Sequence, residues 1–524
     1  MSAAPVIVIG GGIAGLTAAL ELLSAQRDVV LLDRDVEETF GGLAKESFGG
    51  ILVVDTPIQR RHRIRDSVAL AFSDWTRFGG LSPADGWPYR WAEAYVNECR
   101  AEVFDWLRTH GVRFLPMPHW VERNGNSVPR WHIVWGSGER LALQLIDRLR
   151  SHPRAAALTL RFSHRVERFL VSNGRVTGCA GLREDTGEPF EVAGDAVLLA
   201  AGGVNGSLDE VRRHWPADSG KAPAELLNGA HRYADGALHA AVAQLDGQIG
   251  DLSRMWNYAA GVRHWRPRKP DHGISLVPPR GALWLDECGA RFDPPLLAGL
   301  DTSAQVARIA RAGGVSWQIL NRKIAIRELA ASGAEFNPSL RDRRPLAFLR
   351  DMLFGNRWLV DTLLRRCPDF IVAHSLPKLV AGMNASDCER RVSLACVERA
   401  VRDYDAAIAR GDRRADPQLA NIETARRWKG DRLRTARFRQ ILDARAGPLI
   451  AIRERIISRK SLGGIVTDLQ GRVLSNAGQP IAGLYAAGEA TGFGGGGMNG
   501  ARALEGTFLG GCIYSARRAA RALS

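Results

Sequence analysis

The stretch Val6-Ile7-Val8-Ile9-Gly10-Gly11-Gly12-Ile13-Ala14-Gly15-Leu16-Thr17-Ala18-Ala19-Leu20, continued by Val29-Val30-Leu31-Leu32-Asp33, decides how this chain folds. Val6–Ile9 is a short continuous apolar run, the pattern of a parallel strand buried on both faces. It breaks into glycines, enters a helical stretch to Leu23, and resumes as a second strand ending in an acid. Each glycine has a separate task. Gly10 permits the tight turn, Gly12 lets backbone approach a pyrophosphate, and Gly15 lets helix and strand pack closely. Ile13 and Ala14 open the helix, whose N-terminal N–H groups and dipole attract phosphate, and Asp33 can accept from a ribose diol. Strand, glycine turn, helix, strand and acid within about 30 residues predict a dinucleotide-binding βαβ unit.

A second glycine-rich segment lies near the other end. Gly483-Leu484-Tyr485-Ala486-Ala487-Gly488-Glu489 reads as a buried strand ending in an acid. Gly492-Phe493-Gly494-Gly495-Gly496-Gly497-Met498-Asn499-Gly500 follows, then Ala501-Arg502-Ala503-Leu504-Glu505-Gly506-Thr507 and a small-residue helix. Glycines at that density suit backbone lying against a flat ligand rather than the interior of a helix or strand. A third strand, Ala196-Val197-Leu198-Leu199-Ala200-Ala201, stops at Gly202-Gly203. Before it, the alternating run from Val166 to Thr177 turns at Asn173-Gly174, a hairpin signature.

In these motifs the chain resembles the FAD-dependent dehydrogenases of the fumarate reductase/succinate dehydrogenase and 3-ketosteroid 1-dehydrogenase superfamily. Phe40-Gly41-Gly42-Leu43-Ala44, Asp55-Thr56-Pro57, Trp284-Leu285-Asp286, Ala381-Gly382-Met383-Asn384 and Leu462-Gly463-Gly464 extend the likeness along most of the sequence. The resemblance implies an α/β fold: a discontinuous Rossmann-like FAD-binding domain at 1–245 and 445–524, with an α+β capping, substrate domain inserted at 246–444. It implies that Gly10, Gly12, Ile13, Ala14, Gly15, Asp33 and Arg34 hold the ADP half, and that Val166 clamps adenine through its backbone. Gly41, Gly42, Leu43, Ala44, Ser47, Gly49 and Gly50 run along the ribityl chain and flavin. Ala200, Ala201, Gly202, Gly488 and Glu489 complete the cradle, and Ala503 and Leu504 reach the pyrimidine edge. No second G-x-G-x-x-G supplies a nicotinamide domain, and no histidine lies in the fingerprint or the C-terminal loop, so FAD held noncovalently is expected.

The implied reaction is hydride exchange between flavin N5 and a carbon α,β to a carbonyl or carboxylate, by dehydrogenation or ene-reduction. The catalytic residues of such enzymes do not carry over. After Gly289-Ala290-Arg291-Phe292 the position of the fumarate reductase arginine falls near Leu300. Asn499 stands at the place of a loop histidine, and Leu449-Ile450 at the place of a ketosteroid dehydrogenase tyrosine. Arg502 and Arg455 are therefore expected as anchors for a carbonyl or carboxylate. Tyr258 is expected as proton donor, and Asn499 as a further catalytic residue. Two alternatives stand beside this reading: an FAD-dependent oxidase or monooxygenase using O₂, and a non-catalytic binding protein on the same fold.

The composition narrows the partners. The 524 residues carry 71 Lys+Arg against 56 Asp+Glu, a net charge of +15, and only seven of the basic residues are lysine. Arginine grips carboxylates bidentately, yet the clusters at 60–65 and 426–429 fit no nucleic-acid reader, so a small apolar ketone or carboxylate is expected and nucleic acid is not. The electron acceptor is not legible. Seven scattered cysteines without C-x-x-C argue against a disulfide framework, and the twelve histidines show no ligand spacing, so no metal is expected. No apolar run reaches the ~18 residues of a membrane span and no basic leader opens the chain, which predicts a cytoplasmic protein. Trp131, His132 and Trp135 read as a core cluster, with the lining of an apolar pocket as the alternative.

Overall fold

In a computed structural model, residues 4–386, 391–414 and 416–524 are described. The opening motif folds as its pattern requires: strand Val6–Ile9, helix Ile13–Ser24 and strand Val29–Leu32, all but two of whose residues are buried. They lie in a six-stranded sheet. Val6–Ile9 is flanked in parallel by Val29–Leu32 and Ala196–Leu199. Leu158–Arg161 and Pro480–Ala486 continue the sheet outward on either side, and Arg472–Leu474 closes one edge as an antiparallel hairpin. The last helix, Thr507–Ala522, packs on Ile13–Ser24, so the two ends of the chain share one core. The expected hairpin forms between His164–Ser172 and Arg175–Arg183. Asn173 and Gly174 both take positive φ, 50° and 72°, as a two-residue turn demands.

A second, antiparallel sheet carries the cap. Its order is Leu283–Asp286, Val315–Asn321, Leu449–Ser461, Met255–Arg263, Gly273–Val277 and Ala330–Ala331. Helices Thr302–Arg311, Arg357–Arg366 and Leu394–Arg410 belong to this half. The 13-residue strand Leu449–Ser461 is its spine and also pairs with Phe370–Ala373 and, in parallel, with Leu227–Asn228. The cap sheet thus takes strands from both sides of the 246–444 interval, and the chain leaves it at Ser461 rather than at 445.

The spine also fixes the place of Arg455. Its guanidinium donates to the fully buried Asp369 at 2.9 Å and to Glu225, and Arg453 reaches the same Glu225 at 2.9 Å. Asp369 further accepts from the Arg263 backbone N–H at 2.6 Å and from its side chain. Arg455, expected as a substrate anchor, is a strut of the cap: its positive charge, 1% exposed, requires the neighbouring carboxylates. Replacing Asp369 by alanine leaves the buried Arg455 only the half-exposed Glu225 as carboxylate partner. The expected loss is about 3–5 kcal/mol of folding stability, read from the urea midpoint.

Candidate functional site

A cavity with about 1690 Å³ of space free of protein atoms runs between the two sheets. Its wall includes Gly10, Gly12, Ile13, Ala14, Asp33, Arg34, Gly42, Leu43, Ala44, Ser47, Gly49, Gly50, Val166, Ala200, Ala201, Gly202 and Glu489, all expected from sequence. The three glycines of the turn separate by what surrounds them. Gly10 has φ +105°, and a Cβ there would lie 2.4 Å from the Ala200 carbonyl oxygen. A Cβ on Gly15 would lie 1.8 Å from the Gly10 carbonyl oxygen. A Cβ on Gly12 would meet nothing within 4 Å, because it faces the open cavity. The first intrahelical bond runs from the Leu16 N–H to the Gly12 carbonyl at 2.9 Å, leaving the Ile13 and Ala14 end of the helix turned to the cavity. This is the cradle a pyrophosphate fits.

Asp33 accepts from the Gly11 N–H at 2.7 Å and from the Asp35 N–H at 2.8 Å. Burial raises its carboxyl, against the pull of those donors. Arg34 pairs with Glu184 and Asp235 at 2.6 and 2.7 Å and lies over the Tyr233 ring. Five expected cofactor residues stand behind the wall. Gly15 and Gly41 buttress the turn, the latter through its N–H to the Gly11 carbonyl at 3.0 Å. Gly488 packs under Ala14, and the buried Ala503 and Leu504 precede a wall residue, Glu505.

The glycine-rich loop departs from expectation. Only Phe493 of its residues reaches the cavity. Cβ atoms on Gly494 and Gly495 would lie 2.7 and 2.5 Å from the Trp91 indole, and one on Gly492 would lie 2.2 Å from the Leu462 carbonyl oxygen. The loop lacks side chains because it is pressed into the protein's own interior, not against a ligand. Asn499 accordingly lies fully buried away from the wall, its side-chain oxygen and nitrogen without partners. Arg502 is also off the wall and pairs with Asp301 at 3.3 Å. Of the four expected catalytic residues, the structure brings only Tyr258 to the cavity.

Around Tyr258 stand Lys460, which the resemblance puts at the place of a family histidine before Leu462-Gly463-Gly464, and Glu505, which was given no role from sequence. The Tyr258 hydroxyl donates to Glu505, whose same oxygen accepts from Trp256 Nε1 at 3.0 Å. Lys460 Nζ donates to the Tyr258 oxygen at 3.1 Å and lies 4.0 Å from the centre of the Phe508 ring. Burial pushes Lys460 down to about 8, against the pull of Glu505, and pushes Tyr258 well up, with Glu505 adding to the rise. Burial also raises Glu489, opposed by the Ser461 N–H at 3.0 Å and by the Lys460 charge. Phe48, Trp131, Phe493, Phe508 and Leu509 supply an apolar lining. Trp131, read as core, stacks on Phe48 at 5.6 Å on the cavity wall. His132 faces the interior and bonds Thr56 at 2.8 Å. Glu505 was findable as the one acid between the glycine-rich loop and the final helix; the pairing of Trp131 with Leu52 across two short strands was not.

A protein-family model described as an FAD binding domain matches residues 5–509. The chain belongs to this family of FAD-binding proteins, and FAD is the cofactor that the cradle fits. It is an FAD-dependent oxidoreductase acting on CH–CH groups. A KsdD-like steroid dehydrogenase of Mycobacterium tuberculosis (strain CDC 1551 / Oshkosh) is 41% identical over 99% of this chain and 95% of its own length. One from Mycolicibacterium smegmatis is 40% identical over 97% and 96%. In fold the chain is similar to the 3-ketosteroid delta1-dehydrogenase of Sterolibacterium denitrificans, with TM-score 0.68, 16% identity and 99% of both chains covered. It is likewise similar to a flavocytochrome c3 fumarate reductase, with TM-score 0.69, 19% identity, and 99% of this chain and 78% of that one covered. Among the described residues no helix is long and apolar enough to cross a membrane, no His/Cys/Asp/Glu group could hold a metal, and the six described cysteines are free.

The contrast among the glycines is testable. Gly12→Val adds its side chain to open space, so apo-protein stability should stay within about 1 kcal/mol of wild type while the yellow flavin absorbance is lost. Gly15→Ala should cost about 1–3 kcal/mol even in apo-protein, by overpacking. Thermal melts of apo-protein with flavin-to-protein absorbance ratios separate the two.

Proposed function

We propose that this enzyme exchanges a hydride and a proton across a carbon–carbon bond α,β to the ketone of a steroid-like apolar substrate, with Tyr258 as the proton-transfer residue. The single observation carrying the roles is the hydrogen-bonded set Lys460–Tyr258–Glu505 on the cavity wall beside aromatic side chains. The steroid class is supported by the KsdD-like relatives, which align over nearly the whole chain. The same residues that form the cradle would hold FAD, and its flavin supplies or accepts the hydride. Burial raises the Cys512 thiol on the wall, which leaves it a poor nucleophile and agrees with noncovalent binding. Free cysteines agree with a cytoplasmic setting.

The chain's own part is the proton. In reduction Tyr258 gives its hydroxyl proton to the carbon that does not receive hydride, and the Lys460 ammonium replaces it through the 3.1 Å hydrogen bond. The phenol never has to carry a full charge in a buried site. In dehydrogenation the Tyr258 oxygen takes the substrate proton and passes its own to neutral Lys460. Glu505, held by Trp256, orients the phenol. A lysine lowered to about 8 is matched to this work, because a proton relay is most effective near the working pH.

The two directions then have opposite pH limbs. Lys460 is protonated below about 8, so ene-reduction should fall as pH rises through 8 and dehydrogenation should rise. Lys460→Met should flatten both profiles in stopped-flow flavin absorbance; a limb near 8 that survives the substitution overturns the relay. Tyr258→Phe should retain FAD and lower the flavin reduction rate by about 10²–10⁴. The substrate class is tested by anaerobic bleaching with saturated 3-ketosteroids against short dicarboxylates. Bleaching by dicarboxylates alone contradicts the steroid reading.

A further inference from the structure

Helix Pro345–Phe354 buries none of its ten residues. Leu346 is 82% exposed, Phe354 67% and Leu349 54%, with Leu353 and, at the start of the next helix, Trp358 also open. Five of the thirteen large apolar side chains exposed among the described residues fall in this one segment. Single exposed apolar residues are ordinary, but a contiguous cluster marks a surface that meets something.

Charge identifies what it meets. Residues 341–358 hold five arginines, Arg341, Arg343, Arg344, Arg350 and Arg357, against Asp342 and Asp351, a net +3. Arg343 also lines a second cavity of about 640 Å³ with Arg113, Arg140, Gln144 and Trp135, and no carboxylate is on its wall. The cavity and the helix form one face: Trp135 packs edge-on against Phe348 at 5.4 Å, and a Cβ on Gly136 would lie 3.4 Å from Arg343 Cδ. Arg140 also pairs with Asp147 at 3.5 Å, and guanidinium groups in excess over carboxylates select phosphate oxygens, which they bind bidentately. A helix carrying Leu, Phe and Trp between arginines suits the boundary between lipid headgroups and acyl chains.

We propose that this face docks on an anionic phospholipid bilayer, with Leu346, Leu349, Leu353, Phe354 and Trp358 at the acyl boundary and Arg113, Arg140 and Arg343 on headgroup phosphates. The contact is peripheral, since no described helix can span. It adjoins the cofactor cavity: Ser332, six residues before the start of helix Pro338–Arg341, is on that cavity's wall, and Gly138, beside the second cavity, presses on Gly49 of the same wall. The docking itself is independent of which substrate is used.

Flotation of the full-length holoenzyme tests this with vesicles of phosphatidylcholine alone and of phosphatidylcholine with phosphatidylglycerol. Wild type should float with the mixed vesicles at low salt, remain behind with phosphatidylcholine alone, and be released by high salt. L346D/F354D and R113Q/R343Q should each weaken partitioning by at least about tenfold, with FAD content and steroid-ketone bleaching in solution unchanged. If the aspartate variant misfolds, the arginine variant still decides, since it leaves the apolar helix intact. Absence of wild-type flotation, or flotation unchanged in the arginine variant, overturns the proposal. So does a wild-type dimer that L346D/F354D converts to monomer, which would give this face to a second copy of the chain.

Discussion

The close approach of the Gly10–Gly15 turn to itself and to Ala200 governs the rest of the molecule. A Cβ at Gly15 would overlap the Gly10 carbonyl, and one at Gly10 would overlap that of Ala200. Only a backbone bare of side chains brings helix Ile13–Ser24 this near the strand ends, and only that nearness leaves the helix N-terminus open to the cavity. The final helix packs on the same helix, so the core that joins the two chain ends depends on this contact too. One steric condition therefore supports both the phosphate cradle and the closing of the fold.

Charge has two distinct uses in this arginine-rich chain. In the cap interior, Arg453 and Arg455 are matched by Glu225 and Asp369, a buried arrangement that is costly to leave unbalanced. At the Tyr258 hydroxyl the hydrogen-bonded basic group is a lysine. Arginine could not serve there, because a guanidinium does not release its proton at physiological pH, whereas a buried amine does so readily.

The cofactor half was legible because its constraints are local. A turn that must bend, approach a phosphate and pack tightly needs glycine at fixed spacing, which Gly10, Gly12 and Gly15 show, and most residues that the family resemblance added to them line the cavity. The catalytic half was not, because its constraints are tertiary. Arg455 and Arg502 had the right chemistry and neighbourhood, but sequence does not reveal Asp369 or Asp301 waiting as partners. The glycine loop was misread for the same reason. Gly494 and Gly495 answer to Trp91, just over 400 residues earlier, and Gly492 to Leu462. Strand Leu449–Ser461 lies wholly beyond the boundary expected at 445 and yet pairs into the cap sheet, a pairing set by distant strands.

That strand has a mechanical consequence. Arg453 and Arg455 anchor its middle within the cap, while Lys460, five residues beyond Arg455, touches Tyr258 in the cavity. The ladder with Met255–Arg263 runs over the same length and carries Tyr258 itself. Donor and relay therefore sit on paired strands of one ladder, so the sheet itself sets their spacing, while Ser461, the next residue, ties the end of that ladder to Glu489 on the cofactor side.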